Sequence, residues 1–247
     1  MKTESLGGFD RFRVPAALLV IAIHTGPLLS LNGEANYLLT DILARIAVPF
    51  FFSVSGWFLV PRLLREGRAA LIPFVKKLLL LYGAAALLYL PLNLYNHTLE
   101  ESGFALLRDV FFNGTFYHLW YFPALVLGAC LVYGLLRILG PRWAWLPALL
   151  LYAAGLLGDS YFGLTAALPP LRAGYEALFL LFDYTRNGLF FPPVFLLLGG
   201  WLALRPARRS AAWYGAGLLL SLALLTAEGL LAVSYTHLRA HETAANL

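Results

Sequence analysis

Apolar runs recur along the chain and are broken by short charged interruptions. "LLVIAIHTGPLLSL", "VPFFFSVSGWFLV", "LLLLYGAAALLYL", "YFPALVLGACLVYGLLRIL" and "WLPALLLYAAGLLG" follow one another too regularly for buried helices of a globular core. With its flanks, each has the length a tilted membrane span needs, about 17 to 25 residues. Reading runs against interruptions predicts seven spans: Arg13–Leu31, Ile42–Val60, Leu78–Tyr95, Leu119–Leu139, Ala144–Gly158, Gly188–Leu204 and Ala211–Val233. The expected fold class is therefore all-α, a polytopic transmembrane helix bundle with the lipid bilayer as its first partner.

Composition agrees, since 60% of residues are hydrophobic and only 13% charged, a membrane-protein balance. The net charge of +5 does not point to nucleic acid, because the basic residues cluster in short loops between spans. Thirteen of them (Lys2, Arg11, Arg13, Arg62, Arg65, Arg68, Lys76, Lys77, Arg137, Arg142, Arg205, Arg208 and Arg209) fall on one side. Before the last span ends, only Arg45, Arg108, Arg172 and Arg186 fall on the other. By the positive-inside rule the expectation is a multi-pass protein of the cell inner or plasma membrane with a cytoplasmic N-terminus. The connections from His97 to His118 and from Asp159 to Asn187 are longer and rich in aromatics, suiting a lid or a substrate surface, and "FALLRDVFF" reads as a short interfacial helix.

Cys130 is the single cysteine, so neither a disulfide framework nor a cysteine metal site is available. After Val233 the sequence turns abruptly polar. His237 and His241 have helical spacing, yet "SYTHLRAHET" resembles the translation of a sequencing-library adapter. The expected division is a membrane domain over 1–233 and a non-native tail over 234–247, which makes the chain a C-terminally truncated fragment of a larger bundle. No metal site is assigned.

In the first span, "RVPAALLVIAIH" sets a cation and an imidazole at the two ends of ten nonpolar residues. Eleven steps of about 100° bring His24 to within about 20° of Arg13, about 16 Å further along the axis. Ionisable groups at such depth are costly and normally face a bundle interior or a wet cavity.

This stretch, "FDRFRVPAALLVIAIHTGPL" followed by "RIAVPFFFSVSGWFL", resembles the start of the acyltransferase 3 family of integral-membrane acyltransferases, whose hallmark is a basic residue, ten residues, then histidine. A closer resemblance is to the membrane half of the membrane-bound serine racemases of vancomycin resistance, through "AIHTGPL", "YHLWYFPALVLG" and "TRNGLFFPPVFLLLG". The resemblance implies transfer of an acyl group, usually acetyl, from cytoplasmic acyl-CoA to a hydroxyl of a cell-surface glycan or cell-wall precursor. Acyl-CoA would be a cosubstrate, with no tightly bound cofactor. His24 would take the proton from the acceptor hydroxyl or carry the acyl group itself. Arg13 would grip the donor's phosphates and thereby serve the catalytic unit.

Other residues are expected to support this site. Asp10 fixes Arg13 or caps the first helix. Lys76 and Lys77, where the third span begins, extend the donor's phosphate site, although Leu80 stands where many members carry a second arginine. His118, Trp120, Arg186 and Asn187 form an acceptor pocket, with Arg186 orienting an oxyanion or carboxylate or else held by Asp183. Glu228, a carboxylate inside the seventh span, is expected to pair with His24 and join the catalytic group. Ser53, Ser55 and Gly56 suit close helix packing. A rival reading makes the chain a carrier for a small amino acid such as serine, with His24, Arg186 and Glu228 as ligands. A third makes it a membrane anchor, which leaves the intramembrane ionisable residues unexplained.

Overall fold

The computed structural model describes residues 7–96, 102–116, 118–205 and 210–245, with side chains omitted at 211 and 232–245. Within them the chain is all-helical: α1 (Gly7–Thr25), α2 (Gly33–Tyr37), α3 (Ala47–Glu66), α4 (Arg68–Tyr95), α5 (Gly103–Arg108), α6 (Tyr121–Ile138), α7 (Gly140–Trp143), α8 (Trp145–Gly158), α9 (Phe162–Thr165), α10 (Pro169–Leu178), α11 (Pro192–Ala203) and α12 (Ala211–Ala245). A π-turn at Leu38–Ile42 and a 3₁₀ turn at Leu43–Ile46 join α2 to α3. The chain divides into two compact units, one of residues 1–51 with 206–247, the other Phe52–Arg205.

Four stretches among the described residues are long and apolar enough to cross a membrane: Gly33–Glu66, Arg68–Tyr95, Tyr121–Ile138 and Ala212–Leu231. Seven were expected, and the shortfall has local causes. The first expected span stops early because Gly26 adopts φ +52° and its N–H donates to the Ala22 carbonyl at 3.0 Å, a left-handed helix stop with Pro27 directly behind it. What remains of α1 opens in Asp10, Arg11 and Arg13, so its uncharged apolar stretch is short. α8 has 14 residues and α11 only 12, about 21 and 18 Å of helix.

In the first unit, α1 packs on the irregular segment between α2 and α3. Ala16 and Ala22 are buried there, while Phe50 receives the ring of Phe12 edge-on at 4.8 Å. Buried Asn36 ties the turn after α1 to α2, its Oδ1 accepting from the Leu28 N–H at 3.2 Å.

In the second unit, α6 is the central helix, packed on α4 and α11, with α8 against α11. Small residues allow close approach. A Cβ at Gly56 of α3 would run into the Leu196 carbonyl of α11, and one at Gly199 would run into the Ser53 carbonyl. Short α11 is the most enclosed helix, with Pro192, Pro193, Val194, Leu196, Leu197, Gly199 and Gly200 all buried. The face bearing Ser53 and Gly56 thus packs a neighbouring helix.

Candidate functional site

Arg13 and His24 lie on one helix, α1, uninterrupted from Gly7 to Thr25 despite Pro15, and so about 16 Å apart along its axis. Asp10 is inside the helix rather than at its cap. It accepts from Arg13 Nη1 at 2.9 Å, one helical turn apart, where side chains meet. Of the two roles expected for Asp10, the structure therefore contains the ion pair. His24 occupies the last turn, among the carbonyls that a helix end leaves without intrahelical partners, instead of the middle of a span reaching Leu31.

Glu228 lies in the apolar part of α12. Its Oε1 is 3.6 Å from Arg45 Nη1, an arginine that charge counting had treated only as a topological outlier. The next residue, Gly229, accepts from the Tyr37 hydroxyl at 3.0 Å, and a Cβ there would stand 2.7 Å from Ile42 Cδ1. Two successive residues of α12 thus dock on the π and 3₁₀ segment.

Lys76 and Lys77 are exposed on α4. The helix begins at Arg68, so they sit about 12 Å inside it rather than at its start. His118 and Trp120 approach α6 through a tight turn. Gly114 has φ +85°, and a Cβ on it would stand 2.6 Å from the Leu119 carbonyl carbon. His118 meets the rings of Tyr89 and Phe116 edge-on at 4.9 and 5.2 Å. Trp120 lies 6.4 Å from both Phe52 and Phe191. Both residues belong to an aromatic layer.

Arg186 forms a two-pronged pair with Asp159, Nε to Oδ2 at 3.1 Å and Nη2 to Oδ1 at 3.0 Å. Asp183, the partner considered from sequence, is held instead by Arg108 at 2.7 Å and by the Asn113 amide. Asn187, expected in the acceptor pocket, lies inside the fold. It is fully buried, its Nδ2 donating to the Tyr184 carbonyl and its Oδ1 accepting from the Leu189 N–H, both at 3.0 Å. The amide is committed to its own loop.

A shallow cleft opens at the C-terminal end of α8, lined by Asp159, Ser160 and Arg186 together with the apolar Tyr152, Phe190 and Phe191. α10 braces this end. The Tyr175 hydroxyl donates to the Ala154 carbonyl at 2.7 Å, and burial pushes the Tyr175 phenol up, which keeps it a neutral donor. The structure thus brings Arg186 to a cleft with Asp159, a residue sequence reasoning missed. The two are 27 positions apart, and no local spacing announces them.

A comparison with known proteins now bears on these clusters. Residues 6–246 match the acyltransferase domain family. The chain belongs to the acyltransferase 3 family. Curated proteins similar to this acyltransferase 3 chain include an amino-acid racemase of Enterococcus faecalis, 45% identical over 209 residues, which is 84% of this chain and 29% of the relative. A second amino-acid racemase of Enterococcus faecalis is 43% identical over 198 residues, 78% of this chain and 28% of the relative. A serine/alanine racemase of Enterococcus gallinarum is 43% identical over 213 residues, 82% of this chain and 30% of the relative. The chain spans less than a third of the length of these relatives. No solved structure matches. Family membership and the four long apolar stretches together make this an integral membrane protein.

Proposed function

We propose that this domain carries out acyl transfer at a membrane, moving an acyl group, acetyl in the simplest case, from acyl-CoA to a hydroxyl of a cell-surface or extracytoplasmic acceptor. The observation that carries the reading is α1, one unbroken helix of a family named for acyl transfer, with Arg13 and His24 in register on it. In this reading the N-terminus is cytoplasmic and Arg13, pre-oriented by Asp10, meets the donor's phosphates. Exposed Lys76 and Lys77 add positive charge for the same donor. His24 serves as general base, a role that contributes about 10²- to 10⁴-fold. The chemistry attacks the thioester carbonyl with the acceptor oxygen, breaks the carbon–sulfur bond, and passes the hydroxyl proton through the imidazole to the leaving thiolate.

A second reading, carriage of a small amino acid such as serine, is favoured by a specific observation: the curated relatives described above are amino-acid racemases. It needs no acyl donor and gives the ionisable residues inside the bundle to the cargo. One experiment separates the two. The protein is reconstituted into liposomes and supplied with labelled acetyl-CoA and cell-wall acceptors, and in parallel with labelled serine, for wild type and His24→Ala. Acyl transfer by the wild type that falls at least about 100-fold in the variant supports the first reading. Undiminished transfer by the variant overturns the role of His24, and serine uptake without any transfer overturns the first reading in favour of the second.

A further inference from the structure

We infer that Lys76 and Lys77 hold the phosphate of an anionic phospholipid whose acyl chain lies along the leucine face of α4. The acyl-transfer reading lends the same two lysines to the donor; here the phosphate they bind is carried by a lipid, and the inference stands without that reading. Both side chains are exposed, and among the described residues neither pairs with a carboxylate. They leave two adjacent positive charges uncompensated on the surface of a helix that begins at Arg68.

Helical register fixes what lies along the helix from them. Eleven steps of about 100° bring Leu87 to within about 20° of Lys76, and Leu88 to within about 20° of Lys77, each about 16 Å further along the axis. Leu80 and Leu81 stand one turn on from the lysines, on the same two lines. Leu80, Leu87 and Leu88 are 75%, 70% and 77% exposed, and a Cβ added at Gly83 between them would meet nothing within 4 Å. No described residue covers this face. In an integral membrane protein, an open apolar face of this kind meets acyl chains.

Length and charge select the occupant. The 16 Å from lysine to leucine is about one leaflet, half of a hydrocarbon core of about 30 Å. A lipid of that leaflet meets α4 with its phosphate at the lysines and its chain reaching Leu87 and Leu88. Two ammonium groups on flexible stems can converge on one phosphate, and their two charges favour a lipid of net negative charge. A zwitterionic lipid brings a cation of its own beside them. A soluble polyanion such as acyl-CoA would have to displace lipid from a convex face, with one helix to hold its several phosphates.

The test is native mass spectrometry of the full chain in detergent, titrated with phosphatidylglycerol and with phosphatidylcholine of the same acyl chains. Expected for the wild type is tighter binding of phosphatidylglycerol, by about tenfold or more. The Lys76→Gln/Lys77→Gln double variant loses that preference, and Lys76→Arg/Lys77→Arg, which keeps both charges, retains it. Arg142→Gln, which removes an exposed cation from α7, leaves it unchanged. Excess coenzyme A does not displace the bound phosphatidylglycerol. Equal binding of the two lipids by the wild type overturns the inference whatever the variants do, and reduces the lysines to topological anchors. A preference that survives the double glutamine variant, or falls as far in Arg142→Gln, overturns the assignment to these lysines. Displacement by coenzyme A, with coenzyme A binding itself lost in the double glutamine variant, overturns the lipid as occupant and gives the site to the donor, as the acyl-transfer reading has it.

Discussion

At the scale of single residues, Glu228 and Arg45 show how an intramembrane carboxylate is made tolerable. They meet at 3.6 Å, and removing either one leaves the other charge without that partner where water is scarce. A double-mutant cycle checks this. Glu228→Gln and Arg45→Gln should each lower the detergent melting temperature, and the double variant should fall by less than their sum, with a coupling of about 1 kcal/mol. Strict additivity would show that the two side chains act independently. Glu228 was legible from sequence because a carboxylate in an apolar run has few harmless explanations. Its partner was not, since Arg45 lies 183 positions earlier in the chain and only the docking of α12 on the Tyr37–Ile42 stretch brings them together. Arg186 followed the same course: as a charge within an aromatic block it stood out in the sequence, whereas Asp159, the residue it grips, required the fold.

At the scale of elements, the long helices follow from the apolar pattern, and the departures come from signals a span-length reading passes over. "TGP" stops α1, because a glycine at positive φ with a proline behind it cannot continue a helix. Lys76 and Lys77 looked like the end of a loop, yet α4 runs through them from Arg68, as lysines can when their stems lie along a helix and their ammonium groups reach outward. The contact between α3 and α11 follows from the small residues on both. Gly199→Ala would drive a Cβ into the Ser53 backbone, which a side-chain rotation cannot relieve. It should cost about 1 to 3 kcal/mol, read as a lowered thermal midpoint in detergent. Gly217→Ala on α12, where a Cβ meets nothing within 4 Å, should leave the midpoint unchanged or raise it, since alanine is the better helix former. Equal effects from the two would remove close packing as the reason for Gly199.

At the scale of the whole molecule, a count of seven spans requires α1, α8 and α11 to cross the bilayer besides the four long apolar stretches, and α8 and α11 are the shortest of them. Alone, α8 is about 21 Å long, short of a hydrocarbon core of about 30 Å. It is preceded, however, by α7 from Gly140, with only Ala144 between them. Irregular backbone at membrane depth is tolerated where protein rather than lipid surrounds it. α11 meets that condition through its buried prolines and glycines, and Arg205 lies over Trp201 at its C-terminal end, 4.5 Å from the ring centroid. If α4, α6 and α8 each cross, the stretch around Arg65 and the rim of the cleft at Ser160 lie on opposite sides of the membrane, and the distribution of charge leads us to expect Arg65 on the cytoplasmic side. Cys130 is the single cysteine, so Cys130→Ala clears the background for single cysteines at 65 and 160. In intact cells a membrane-impermeant thiol reagent should label position 160 and reach position 65 only after permeabilisation. Labelling of both from outside would mean that α8 does not cross. Labelling of position 65 alone would invert the stretch from α4 to α8 and overturn the charge-based orientation on which the acyl-transfer reading rests.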